Sequence, residues 1–471
     1  MRYLLVALLF ASCTKQIATK PNPDPLVVAV PKPSYFIKAD GSGSNTGLSP
    51  EQAWDLDKAN NFSFSPGDTI NIIGTVNGML VLSESGTADA MITIQGGTIF
   101  SDTKDGIYLY NNDHILVRNL TVLGSGKVLT TLTNSGIVLK SDDQKRHSHI
   151  VIDNIVAKGY GHAGINSSLD MSPTVAWESV EASMAYPGGY DSILIRNAVA
   201  DSNGYAGIDM TGSWPGRQNR NILIEHSSTS HNRGIQGMKP HSGHGIIMAN
   251  VSGGIIDSCS ATNNGWEFGS GNVGIWAYSS ENVTIQNSVS SRNKSTTGID
   301  GDGFDLDGGT WNCVMQYNLA YENDGAGFLI YEYGDPYSMK NNTCRYNISN
   351  NDARKGMNYG GITIGGAAAL YDIRIYNNTI VQNQGKAITK IGMAVQGILE
   401  IKNNILSSPD TPYLYQDVAN NLLGDAKLDA KYTPLDNSPA VDNGLDISSL
   451  PNRDFYDKNI NGRRDIGAVE R

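Results

Sequence analysis

Nine times between residues 106 and 365 the chain repeats one five-residue phrase: glycine, apolar, any, apolar, any. It reads GIYLY at Gly106, GIVLK at Gly136, GINSS at Gly164 and GIDMT at Gly207. It continues as GIIMA at Gly245, GIWAY at Gly274, GFDLD at Gly303, GFLIY at Gly327 and GITIG at Gly361. Successive copies lie 24 to 43 residues apart. A unit of that size cannot bury its own apolar face; it must stack on its neighbours into a solenoid. A second phrase, apolar-x-Asn, falls between the copies: VRNL at Val117, IDNI at Ile152, IRNA at Ile195, IQNS at Ile285, IYNN at Ile375 and IKNN at Ile401. Further asparagines follow at Asn203, Asn232, Asn264, Asn293, Asn323 and Asn383. Asparagine tolerates positive φ and bonds local backbone, so it suits stacked corners.

Each unit therefore holds at least two short strands and two tight turns, which predicts an all-β parallel β-helix. Composition agrees: 52 glycines and only 17% charged residues suit turns and short strands rather than helices. Neither the helix nor the leucine consensus of a leucine-rich repeat is visible. The stretch EQAWDLDKAN, residues 51–60, predicts a short N-terminal cap helix. Repeats end near residue 436, and residues 437–471 read as an irregular C-terminal cap over the last coil. An insert at 168–189, with the helical pattern VAWESVEASMA, interrupts the repeat as a wall or lid.

Strand alternation turns the repeat into a surface map. The inward ladder is Ile107, Ile137, Ile165, Ile208, Ile246, Ile275, Phe304, Phe328 and Ile362. The first outward ladder is Tyr108, Val138, Asn166, Asp209, Ile247, Trp276, Asp305, Leu329 and Thr363. Neighbouring coils lie about 4.8 Å apart, so Asp305 and Asp307 sit beside Trp276 and Tyr278 of the preceding coil and Tyr331 of the following one. Paired carboxylates can protonate a leaving group and activate water, while aromatic faces stack on sugar rings. Asp302 and His244 are candidates to tune or replace one acid. His241, Glu332 and Asp209, three coils from Asp305, are candidates for further sugar contacts. Other readings stay open. Asp300 and Asp302, in DGDGFDLD, also fit a Ca2+ site or plain turn chemistry. The two histidines also fit turn hydrogen bonds or a transition metal.

The N-terminus reads as an export signal: Arg2, an apolar run from Tyr3 to Phe10, then Ala11, Ser12 and Cys13. Small residues before a cysteine resemble a bacterial lipoprotein cleavage site (residues 1–13), with Cys13 lipidated and the protein held on the outer membrane. Ordinary signal cleavage beside an incidental cysteine is the alternative. Residues 14–34, rich in proline, read as a tether. Cys259, Cys313 and Cys344 read as buried free thiols, with a Cys313–Cys344 bridge as the alternative. The net charge of −11 argues against a nucleic-acid partner. A monomer is expected.

The opening YFIKADGSGSNTGLSPEQAW and PGDTINIIGT, the coils, and the closing NSPAVDNG and NGRRDIGAVE resemble the bacterial right-handed parallel β-helix proteins of the pectate lyase-like superfamily. The resemblance covers nearly all of the chain after residue 34 and implies activity on polysaccharide. Members include lyases, polygalacturonase-type hydrolases and epimerases, so fold alone names no reaction. His244-Gly245 and the Asp302, Asp305 and Asp307 group echo the polygalacturonase pattern, but its adjacent Asp-Asp and Arg-x-Lys are missing. The epimerase Asp-Pro-His-Asp is absent. Superfamily lyases use Lys or Arg beside Ca2+, and here only Lys239 or Arg292 stands near enough in sequence to reach in. The expectation is a glycoside hydrolase needing no cofactor, with Asp305 and Asp307 as acid and base. A Ca2+-assisted polysaccharide lyase and a non-catalytic glycan-binding adhesin are the alternatives.

Overall fold

The computed structural model describes residues 33–127, 131–169, 188–212, 216–355 and 358–471. The signal peptide with Cys13, nearly all of the tether and the helical pattern of the insert lie outside these residues. Within them the chain is a parallel β-helix built from two long sheets. The glycine phrase supplies an eleven-stranded parallel sheet running from Leu80–Leu82 to Lys386–Gly392. The apolar-x-Asn phrase supplies strands of a 25-stranded sheet.

Register confirms the map rung by rung. Tyr108 pairs with Val138, Val138 with Asn166, and Asn166 with Asp209. Asp209 pairs with Ile247, Ile247 with Trp276, Trp276 with Asp305, Asp305 with Leu329 and Leu329 with Thr363. Every member of the inward ladder is fully buried. Phe304 stacks on Phe328 with ring centroids 5.1 Å apart. Each such side chain stabilises the fold by about 1.5–3 kcal/mol through removal from water.

Asparagines divide between two tasks. Those of the apolar-x-Asn phrase (Asn119, Asn154, Asn197, Asn287, Asn377 and Asn403) all adopt positive φ, between 49° and 58°. Those of the second set are buried and bond one another. Asn203 Nδ2 donates to Asn232 Oδ1 at 3.3 Å, Asn232 to Asn264 at 2.7 Å, and Asn264 to Asn293 at 3.1 Å. Asn293 donates to Asn323 at 2.9 Å, and Asn323 to Asp352 Oδ1 at 2.8 Å. The ladder ends on that aspartate; Asn383, expected to continue it, is exposed.

Four expectations about the ends and the thiols meet the structure differently. Ser34, assigned to the tether, opens the first strand, Ser34–Lys38. The cap helix is shorter than its pattern: a 3-10 turn at Pro50–Gln52, then a helix at Leu56–Asn60 capped by Asp55. Trp54 leaves the helix to pair with Ile37 and stack on Tyr35. The C-terminal tail does not sit only on the last coil. It lies back along the stack, where Leu450 and Ile460 pack on Tyr317, Tyr346 and Tyr376. Arg464 also donates to Tyr346 Oη at 2.6 Å. Cys259, Cys313 and Cys344 are free and buried, and burial pushes their thiols up to about 12.

Candidate active site

The strand Asp300–Asp307 forms the floor of the candidate site. Asp300 and Asp302 belong to this strand rather than to a loop before it. A register irregularity against Asn272 and Val273, with positive φ at Asp300 and Gly301, lets it begin early. Beyond the irregularity, alternation holds: Phe304 and Leu306 are in the solenoid core, and Asp305 and Asp307 point out of it. They face a cavity of about 530 Å³, walled by Trp276, Tyr278, Tyr331, Tyr333 and Tyr359.

The acids are not open to solvent, as the repeat alone implied. Asp305 is only 2% exposed and Asp302 fully buried. Asp305 Oδ1 and Asp307 Oδ1 are buried with no hydrogen-bond partner among the described residues. Burial raises both carboxyls well above the ordinary range; Asp307 adds to the rise at Asp305, and Asp300, Glu332 and Asp335 add to the rise at Asp307. Asp302 and Asp300 push Asp305 further up, whereas the Gly308 backbone N–H partly offsets the rise at Asp307. Asp300 also lines the cavity and accepts from Tyr359 Oη at 2.6 Å.

Several predicted site residues occupy other positions. Asp302 does not line the cavity; its Oδ1 accepts the Ala326 N–H of the next coil. It is placed to raise its neighbours, not to touch a ligand. Glu332 is 1% exposed, and its carboxylate accepts four backbone N–H groups. These come from Gly309 at 3.0 Å, Gly334 at 2.7 Å, Asp335 at 2.8 Å and Met339 at 3.1 Å. It organises the loop carrying Tyr333 and has no acceptor capacity left for sugar. Trp276 points away from the core as expected, yet it is only 3% exposed. It stacks between His244, at 4.9 Å, and Tyr278, at 4.8 Å, so neither ring face is open to a sugar, and its Nε1 is unpartnered.

The histidines form a relay whose protons follow from one backbone donor. Val273 N–H donates to His244 Nδ1 at 3.2 Å, so neutral His244 carries its proton on Nε2. That Nε2–H donates to His241 Nδ1 at 3.0 Å, and Tyr205 Oη donates to the same nitrogen at 3.1 Å. His241 is thus the Nε2–H tautomer, and it lines the cavity. Burial lowers the pKa of both rings. His244 is fully buried with both nitrogens engaged, which makes it a positioning residue for His241 and Trp276 rather than an acid or base. Asp209 is outside the cavity lining and bonds His162 Nε2 at 3.1 Å, while Asn166 donates to His162 Nδ1 at 3.0 Å.

Sequence reasoning missed Tyr359, Ile299 and Ile391 in the lining. A signal existed for two of them. Ile299 and Tyr359 precede Gly303 and Gly361 by a few residues, on the same approach to the sheet that His241 takes before Gly245.

A family profile for right-handed β-helix regions matches residues 178–344. No curated protein matches the sequence. Among solved structures, a GH136 lacto-N-biosidase from Eubacterium ramulus is similar at 14% identity and a TM-score of 0.55, over 83% of this chain and 68% of that one. XylC, solved in complex with xylose, is similar at 8% identity and a TM-score of 0.51, over 93% and 98%. Pectate lyase Pel9A aligns at 15% identity and a TM-score of 0.45, over 94% and 97%. At such identities the likeness is one of fold: this chain is a right-handed parallel β-helix.

Proposed function

We propose that this protein is a carbohydrate-active enzyme that hydrolyses glycosidic bonds in a polysaccharide or oligosaccharide, with Asp305 and Asp307 as the reacting carboxyls. The observation that carries this reading is a pair of buried, unpartnered carboxyl oxygens on the floor of an aromatic-walled cavity. Leaving such atoms unpaired costs about 1–3 kcal/mol each, and a substrate hydroxyl or glycosidic oxygen supplies the missing partner. Asp305, the more enclosed of the two, stays protonated and delivers its proton to the leaving oxygen. Asp307, half-buried and steadied by the Gly308 N–H, acts as the base on water. Alternate residues of a strand are about 6.5 Å apart, the lower end of the spacing of about 6.5–9.5 Å for an inverting pair. The lacto-N-biosidase and the xylose complex, which share the fold, agree with sugar chemistry on such a scaffold.

The Ca2+-assisted lyase is the second reading, favoured by the cluster of acids. Its donors fit poorly: Asp300 Oδ1 and Asp302 Oδ1 already accept from Tyr359 and Ala326. No step is routed through Ca2+ here. We further propose export with a lipid anchor at Cys13, which places the cavity where extracellular or periplasmic glycan is met.

Product analysis tests the reaction. Hydrolysis releases reducing ends without ultraviolet absorbance, and Asp305→Asn abolishes it. An absorbing unsaturated uronate, lost on adding a chelator, establishes the lyase instead. Glycan binding with no turnover by the wild type establishes the adhesin.

A further inference from the structure

We infer that the cavity takes a glycan of uncharged sugars and rejects uronate chains, an inference that rests on the glycan-cleaving reading above. All the fully charged side-chain types lining it are acids: Asp300, Asp305 and Asp307. Among the described residues no Lys or Arg contributes to the lining. The internal stretches outside the description (128–130, 170–187, 213–215 and 356–357) contain neither residue type, so they bring no cation either.

Four of the cations nearby are committed elsewhere. Arg292 bonds Glu322 at 2.8 Å and stacks on Tyr321. Arg217 bonds Glu281 at 2.7 Å and lies over Tyr337. Lys355 donates to the Ser295 carbonyl at 2.7 Å, and Lys294 pairs with Asp324 at 3.4 Å. Lys239, next to the lining residue Pro240, is exposed and absent from the lining.

A uronate carboxylate entering this space gives up its hydration, meets no Lys or Arg in the lining and is repelled by the ionised Asp307, which is strongly unfavourable. A neutral sugar meets complementary groups. Its hydroxyls can bond the unpartnered Asp305 Oδ1 and Asp307 Oδ1 and accept from Trp276 Nε1. Its C–H faces meet Tyr331, Tyr359, Leu329 and Ile391. The same acid-rich lining that holds the proton on Asp305 thus selects against an anionic substrate.

The test is calorimetric binding to full-length Asp305→Asn, with neutral glycans (xylan, galactan and N-acetylglucosamine-containing oligosaccharides) set against polygalacturonate and alginate. The expected result is binding of at least one neutral glycan, with uronates at least about tenfold weaker with or without Ca2+. Preference for a uronate, uronate binding that appears on adding Ca2+, or binding of neither class overturns the inference. In Ile391→Lys the ratio of uronate to neutral affinity is expected to rise about tenfold at low salt and to relax at high salt; an unchanged ratio also overturns it. The two readings fail separately. Neutral binding without turnover by the wild type removes only the cleavage reading, and turnover of a uronate chain removes only this one.

Discussion

The asparagine ladder and the Asp300–Asp307 strand both place buried polar side chains on a coil stack, and they spend them differently. In the ladder every rung from Asn203 to Asn323 donates to the next, and Asp352 closes the row. On the aspartate strand, Asp302, Asp305 and Asp307 each keep one buried carboxyl oxygen unpartnered. The solenoid can therefore satisfy buried polar atoms cheaply by stacking identical ones. On the aspartate strand the unpaired atoms belong to residues that line the cavity, Asp305 and Asp307, or that neighbour them, Asp302.

The sharpest break of this contrast is at the acids. Asp305→Asn or Asp307→Asn is expected to lower glycan cleavage by about 10²- to 10⁴-fold, the usual contribution of general acid–base catalysis, measured as reducing ends released. Next is the ladder. Asn293→Ala removes the acceptor of both the Asn264 amide and the Asn264 backbone N–H, and one of the two donors to Asn323 Oδ1. Loss of about 3 kcal/mol in denaturant melting is expected, with activity per folded molecule retained.

The third expectation concerns pH. Asp302, Asp305 and Asp307 have folded pKa values raised above the unfolded value of about 4. Such groups stabilise the fold fully below the unfolded value, and that stability is lost as pH rises through the folded one. Thermal melting should therefore fall from mildly acidic to alkaline pH. Asp302→Asn should flatten the profile and raise alkaline stability by about 2 kcal/mol. At the ladder's end, burial pushes Asp352 up to about 7, so Asp352→Asn should match wild type in acid and be the more stable above neutrality.

The coils were legible because two periodicities coincide: the five-residue phrase sets which side chains enter the core, and its spacing sets the register from Tyr108 to Thr363. Direction was therefore readable at Asp305, Asp307 and Tyr331. Enclosure was not. Whether Trp276 offers a face depends on His244 and Tyr278 closing over it, and those contacts come from different coils. Glu332 shows the same limit. Its sequence position beside Tyr331 pointed to the groove, but a glycine-containing turn and loop deliver four N–H groups that consume it. Asp302 was misassigned because the strand already begins at Asp300, so Asp302 shares the register of Phe304 and Leu306 and is buried like them.

The account rests on a carboxyl that keeps its proton in an otherwise unpaired, enclosed position. Site-resolved ¹³C titration of the aspartate carboxyls in the intact protein, assigned with Asp305→Asn, measures it directly. Asp305 is predicted to lose its proton well above the ordinary carboxylate range and after Asp307. Deprotonation of Asp305 at or below a pH of about 4 would contradict the account.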